Sequence, residues 1–144
     1  MEPKLEERSF GIITIYQRDG EDLYLLVHQH NDKWSFPKGH VEGNETPLET
    51  ARRELFEECA IDDIEIVPEH LLSEEYCFNR DGSIPVHKVN QYFIGFVQSM
   101  NVTPQIGEID ECRFVSFEQA LPLLRFPENK QVLTDARALL ATLR

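Results

Sequence analysis

The chain has 144 residues, 41% hydrophobic and 28% charged, the proportions of one globular domain spanning residues 1–144. Its 14 Lys and Arg stand against 26 Asp and Glu, a formal charge of −12. That balance argues against a duplex-DNA binder and a polybasic membrane-surface protein, both of which need clustered cations. A phosphorylated substrate stays compatible, provided divalent metal reverses the field at the site. The longest apolar runs, residues 23–27 and 92–97, are too short to cross a bilayer. The N-terminus carries no hydrophobic stretch of a secretory signal. Cys59, Cys77 and Cys112 fit neither a disulfide framework nor a zinc pattern, so the sequence predicts three buried thiols in a reducing, cytoplasmic setting.

Taken in chain order, residues 10–17 and 23–29 read as strands joined at the Asp19-Gly20 turn. Residues 34–37 are short and apolar, and the chain is expected to turn at Lys38-Gly39. Thr46-Pro47-Leu48-Glu49 is a capping box with proline at the first helical position, so a helix starts there. Its Leu48, Ala51, Leu55 and Cys59 form one apolar stripe. Residues 71–78 and 86–97 read as a hairpin around Asp81-Gly82, the longer arm a central strand, and residues 112–115 as one more strand. Ser116-Phe117-Glu118-Gln119 opens a short helix that Pro122 ends or kinks. A last amphipathic helix presents Val132, Ala136, Leu139 and Leu143. This mixture predicts an α/β fold with a sheet covered on both faces.

The chemically loaded part is the helix bearing Glu54, Glu57 and Glu58. These three fall within an arc of about 100°. They repel by a few tenths of a kcal/mol per pair and lie near the helix C-terminus, where the macrodipole disfavours them. Hard cations with oxygen ligands, Mg²⁺ or Mn²⁺, would turn that repulsion into attraction. The alternative is a solvated charged face, softened by Arg53 pairing with Glu49 and Glu57.

Residues 39–61 weigh against that alternative. Gly39, Glu45, Arg53, Glu54, Leu55, Glu57, Glu58 and Ile61 meet eight of the nine specified positions of G-x5-E-x7-R-E-U-x-E-E-x-G-U, U being aliphatic. This resembles the signature of the Nudix hydrolases. Ala60 is the departure, standing where the family has glycine.

The resemblance implies a single-domain α/β/α sandwich around a mixed sheet, and metal-dependent hydrolysis of a nucleoside diphosphate linked to a further group. It implies Glu54, Glu57 and Glu58 as metal ligands, with the Gly39 carbonyl a further one, and Glu45 with Arg53 as a supporting ion pair. Glu57 is the leading candidate for the catalytic base, ahead of Glu54. The run Pro37-Lys38-Gly39-His40 is similar to the entry loop of diadenosine tetraphosphate hydrolases. That likeness implies asymmetric cleavage to ATP and AMP, with Glu108 as a fourth metal-site carboxylate ahead of Glu111. It also implies phosphate contacts from Lys38, His40 and Lys88, and a stacking role for Phe126. Tyr76 is a further substrate-binding candidate, Tyr76 and Phe126 reading equally well as core aromatics; Trp34 reads as packing, and His28, His30, His70 and His87 match no ligand spacing. The rival readings are an RNA 5′-pyrophosphohydrolase, a nucleoside triphosphate pyrophosphohydrolase, and, more distantly, a catalytically silent nucleotide-binding module. Small nucleotides are the expected partners.

Overall fold

A computed structural model describes residues 5–143; residues 1–4 and 144, which belong to the expected domain and its N-terminal reading, lie outside the described part. Strands β1 (Leu5–Arg18) and β2 (Glu21–Gln29) form an antiparallel hairpin. Its turn residues Asp19 and Gly20 have φ of 51° and 79°, the left-handed pair that matches strand twist. β3 (Lys33–Ser35) continues from β2, and β4 (Lys38–Gly39) pairs antiparallel with β1. Lys38-Gly39 is therefore an extended ladder segment rather than the expected turn. Gly11 permits it, because a Cβ there would overlap the Pro37 carbonyl.

After helix α1 (Pro47–Cys59) come β5 (Glu65–Arg80) and β6 (Ile84–Val97), a long antiparallel hairpin whose register shifts between Val67 and Leu71. β6 also runs parallel to β1 from Leu5↔Val86 to Tyr16↔Val97. The order is β3-β2-β1-β6-β5, with β7 (Ile109–Val115) pairing with β2. Helices α2 (Phe117–Leu123) and α3 (Pro127–Thr142) complete the chain, with Pro122 in the last turn of α2.

Alternation along the strands builds the two layers of core. Phe10, Ile12, Leu25 and Val27 face α1 with its Ala51, Leu55 and Cys59. Ile13, Ile15, Tyr24 and Leu26 face α2 and α3. A mixed sheet with helices on both faces is the α/β/α sandwich expected.

Two expectations fail on the surface. Along α3 the buried face is Val132, Leu133, Ala136 and Leu140, with Leu139 at its edge. Leu143 lies past the last turn and is exposed. Cys77 is exposed and Cys112 half-buried; only Cys59 is a fully buried thiol.

Candidate active site

Helix α1 is started by its capping box: Thr46 Oγ1 accepts from the Glu49 N–H at 3.2 Å, and Glu49 Oε1 accepts from the Thr46 N–H at 2.8 Å. Glu49 is thus committed to the cap and does not pair with Arg53. The helix ends at Ala60, whose φ of 59° and ψ of 36° are left-handed, and whose N–H donates to the Phe56 carbonyl at 2.8 Å. The departure from the signature therefore leaves the exit geometry in place.

The loop before the helix is organised by Glu45. It accepts from Arg53 Nε at 2.6 Å, Arg53 Nη2 at 3.1 Å, Thr50 Oγ1 at 2.9 Å and the Glu42 N–H at 2.9 Å. The Arg53 hydrogen bond, then the Glu42 amide, holds its carboxyl down at about 2. Arg53 also donates to the His40 carbonyl at 2.8 Å, Glu54 Oε1 at 2.9 Å and Glu57 Oε2 at 3.1 Å. One guanidinium fork therefore fixes loop and helix together.

Glu58 is buried, not on an open helix face. Its Oε2 accepts the Lys38 N–H at 3.2 Å. Burial, and after it the Glu54 charge, pushes its carboxyl up to about 9. Burial raises Glu54 as well, and the two carboxyls share a hydrogen bond in which Glu58 keeps the proton. Gly39 makes room for this pair, since a Cβ there would overlap the Glu54 carboxyl. Glu57 is half-exposed on the Arg53 side.

Glu54, Glu57 and Glu58 line one cleft of about 320 Å³ with Gln29, Lys38, Gln105, Glu108 and Ile109. Glu108 is brought to the helix carboxylates, whereas Glu111 is taken by Arg113 at 2.7 and 3.0 Å. Among the described residues no three His, Cys, Asp or Glu side chains already form a metal cage. The donor set nonetheless suits a hard divalent cation. It is all oxygen, and two of its carboxylates are crowded enough to share a proton. Glu54, Glu57, Glu58 and Glu108 could hold it, with the Gly39 backbone alongside.

A second cavity, of about 310 Å³, adjoins. Tyr76, Phe78 and Phe126 supply aromatic walls, with Lys33, Ser35, Cys77, Asn90, Glu128 and Asn129 around them, and Lys38 lines both cavities. Phe126 is 48% exposed and Lys33 Nζ stands 5.3 Å from its ring centroid, so it is no core aromatic. Tyr76 is half-buried in the same wall. Trp34 packs partly buried on the core, stacked on His28 at 4.8 Å.

Lys88 is buried and enters neither cavity lining. Its Nζ donates to Ser9 Oγ at 2.8 Å and to His40 Nε2 at 2.8 Å. Burial, then the Lys38 charge, brings it down to about 8, and burial lowers His40 also. With Lys88 protonated, His40 Nε2 must accept, so the imidazole is neutral. Burial likewise lowers Lys38, helped by Lys33.

Sequence reasoning missed the polar floor beneath the aromatic pocket. Buried Glu74 accepts from Asn90 Nδ2 at 3.1 Å, Tyr92 Oη at 2.7 Å and Asn129 Nδ2 at 2.8 Å. A signal existed: Lys88 and Asn90 interrupt the inward alternation Val86, Tyr92, Ile94 of β6.

A family model for the NUDIX domain matches residues 5–136. The chain belongs to the NUDIX family. This Nudix chain is 25% identical over 143 residues to the mouse bis(5′-nucleosyl)-tetraphosphatase [asymmetrical], covering 97% of this chain and 87% of that protein. It is 30% identical over 115 residues to the RNA pyrophosphohydrolase of Bartonella henselae, covering 74% of this chain and 64% of that one, less than two thirds of its length. Its fold superposes on a C. elegans Ap4A hydrolase binary complex with a TM-score of 0.82 at 21% identity, over 94% of this chain and 98% of that one.

Proposed function

We propose that this protein is a Nudix pyrophosphohydrolase of dinucleoside polyphosphates, cleaving diadenosine tetraphosphate asymmetrically to ATP and AMP. The observation that carries this reading is the shared wall: Lys38 lines both the acidic cleft and the aromatic pocket. A nucleoside stacked against Phe126 and Tyr76 would lead its phosphate chain past Lys38 into the carboxylates. The match to the mouse tetraphosphatase along nearly the whole chain supports it.

Bound Mg²⁺ or Mn²⁺ would neutralise the phosphate oxygens and acidify the attacking water. Glu54, Glu57, Glu58 and Glu108 are the groups that would hold it. Glu57 is proposed to take the proton of the water, ahead of Glu54, because it is the half-exposed carboxylate of the helix. Glu45 and Arg53 keep loop and helix in register. Lys38 and His40 would steer phosphate, and Lys88 would act through His40. The location proposed is the cytoplasm, in keeping with three cysteines whose spacing matches no disulfide framework. Among the described residues no helix is long and apolar enough to cross a membrane.

A second reading has its own observation, the 30% identity to an RNA pyrophosphohydrolase. A triphosphorylated RNA end offers the same anhydride. The charge of −12 disfavours it, since an RNA body beyond the first nucleotides would meet a like-charged surface. The deciding experiment is a Mg²⁺-dependent panel of diadenosine tetraphosphate, nucleoside triphosphates and 5′-triphosphorylated RNA, with products resolved by chromatography. ATP and AMP in equal amounts from the first, at the highest kcat/KM of the panel, is the expected result. Pyrophosphate release from RNA at the highest kcat/KM would replace it.

A further inference from the structure

The last residue of α1 and the middle of β7 carry two thiols that the proposed hydrolysis does not use. Cys112 Sγ lies 3.2 Å from Cys59 Sγ, and 3.5 Å from the Glu58 carbonyl. Cys59 is wholly buried in the core beneath α1, while Cys112 is half-buried and is the sulfur a small reagent meets first. The same junction already gathers the loop that leads to Glu108. The Thr103 N–H donates to the Cys59 carbonyl at 3.0 Å, and the Gln105 N–H to the Glu58 carbonyl at 3.1 Å.

We propose that Cys59 and Cys112 are a disulfide-forming modification site, oxidised by hydroperoxides, that clamps the end of helix α1 to strand β7 behind the acidic cleft. A disulfide needs its sulfurs about 2.05 Å apart, so they must approach by roughly 1.1 Å. β7 pairs only with β2 among the described strands, which leaves it able to make that shift. The oxidant class follows from charge: at −12 the chain disfavours an anionic small disulfide, whereas a neutral hydroperoxide approaches freely.

The step balances. The Cys112 sulfur attacks the terminal oxygen of the hydroperoxide, the O–O bond breaks, and the alcohol or water leaves with the thiol proton. The Cys59 sulfur then attacks the Cys112 sulfenic acid. The S–S bond forms, the S–O bond breaks, and water departs with the Cys59 proton. Two electrons pass from the thiol pair to the O–O bond. The closed loop, whose ends are 53 positions apart, is long, so the unfolded chain loses freedom and the fold gains stability.

The test uses the full chain treated with hydrogen peroxide, then alkylated, digested and analysed by mass spectrometry, with thermal unfolding in parallel. The expected result is two thiols lost per chain, a peptide pair joined through Cys59 and Cys112, and a melting temperature higher by about 5 °C or more. Dithiothreitol should reverse both. Cys59→Ala and Cys112→Ser should abolish them, and Cys77→Ala should not; if Cys59→Ala fails to fold, the half-buried Cys112→Ser carries the comparison. Cys112 accumulating as sulfinic acid beside a reduced Cys59 would overturn the proposal, as would oxidation confined to Cys77. Neither readout involves a nucleotide, so the result is independent of the proposed hydrolysis.

Discussion

Glu58 Oε2 accepts the backbone N–H of Lys38 at 3.2 Å, and this bond joins helix α1 to β4 where the acidic cleft meets the aromatic pocket. It ties a buried carboxylate to the backbone of the residue that lines both cavities. The carboxylate held there keeps a proton, up to about 9, because burial and the Glu54 charge outweigh the one amide it accepts.

That proton has a thermodynamic signature. With a folded value near 9 against an ordinary 4.5, folding takes up a proton in the metal-free protein. This contribution to stability is fully present below pH 4.5 and declines as pH rises towards 9. Binding of Mg²⁺ at the cleft should expel the proton, so affinity should rise with pH. Titration calorimetry at pH 7.5 in buffers of different ionisation enthalpy should show proton release approaching one per site. Glu58→Gln should remove it, and buffer-independent heats in the wild type would reject the shared proton.

The Glu45–Arg53 pair acts in the opposite pH range. Glu45 is held at about 2, below its ordinary 4.5, so its contribution is present above pH 4.5 and disappears as pH falls towards 2. Glu45→Gln should flatten the acid limb of the stability curve between those values, measured by urea unfolding at several pH values. An unchanged acid limb would assign the loss to other carboxylates.

Glu57→Gln keeps shape and removes charge, so hydrolysis should fall by about 10²-fold or more if Glu57 takes the proton. Its Arg53 contact is a half-exposed pair worth a few tenths of a kcal/mol, and like-charge relief opposes its loss. The melting temperature without metal should therefore barely move. Turnover within threefold of wild type would pass the role to Glu54.

Phe126→Ala removes one wall of the second cavity. Stacking on a base is worth about 1–3 kcal/mol, so the KM for diadenosine tetraphosphate should rise about 5- to 100-fold. A short substrate without a second nucleoside should be much less affected. Because Phe126 is exposed, stability should hold; equal slowing of every substrate would make the ring general scaffold.

Ala60 carries a left-handed backbone, φ 59°, that costs an alanine on the order of 1 kcal/mol. Ala60→Gly should recover part of that in chemical denaturation, less the entropy glycine adds to the unfolded chain. Hydrolysis should be unaltered, and a destabilised variant would show that the strain is absorbed elsewhere.

The sequence by itself determined what depends on local chemistry and periodicity. The capping boxes at Thr46 and Ser116, the Asp-Gly turns, the helix carrying Glu54, Glu57 and Glu58, and the two-sided sheet all follow from interactions within a few residues. Only the tertiary structure decided burial and convergence, which depend on partners distant in the chain. Periodicity put Glu58 on an open arc, but β4 covers it and thereby raises its carboxyl. Lys38-Gly39 read as a turn because two residues are too few to show strand alternation, and its ladder partner Phe10-Gly11 lies far back in the chain. The resemblance implied a phosphate contact for Lys88, but only the fold shows its Nζ held between Ser9 and His40, from two other segments. The contact of Cys59 with Cys112, across 53 positions, was likewise beyond any local pattern. Spacing along one helix sets which residues share a face, whereas the packing of other segments sets which of them meet water.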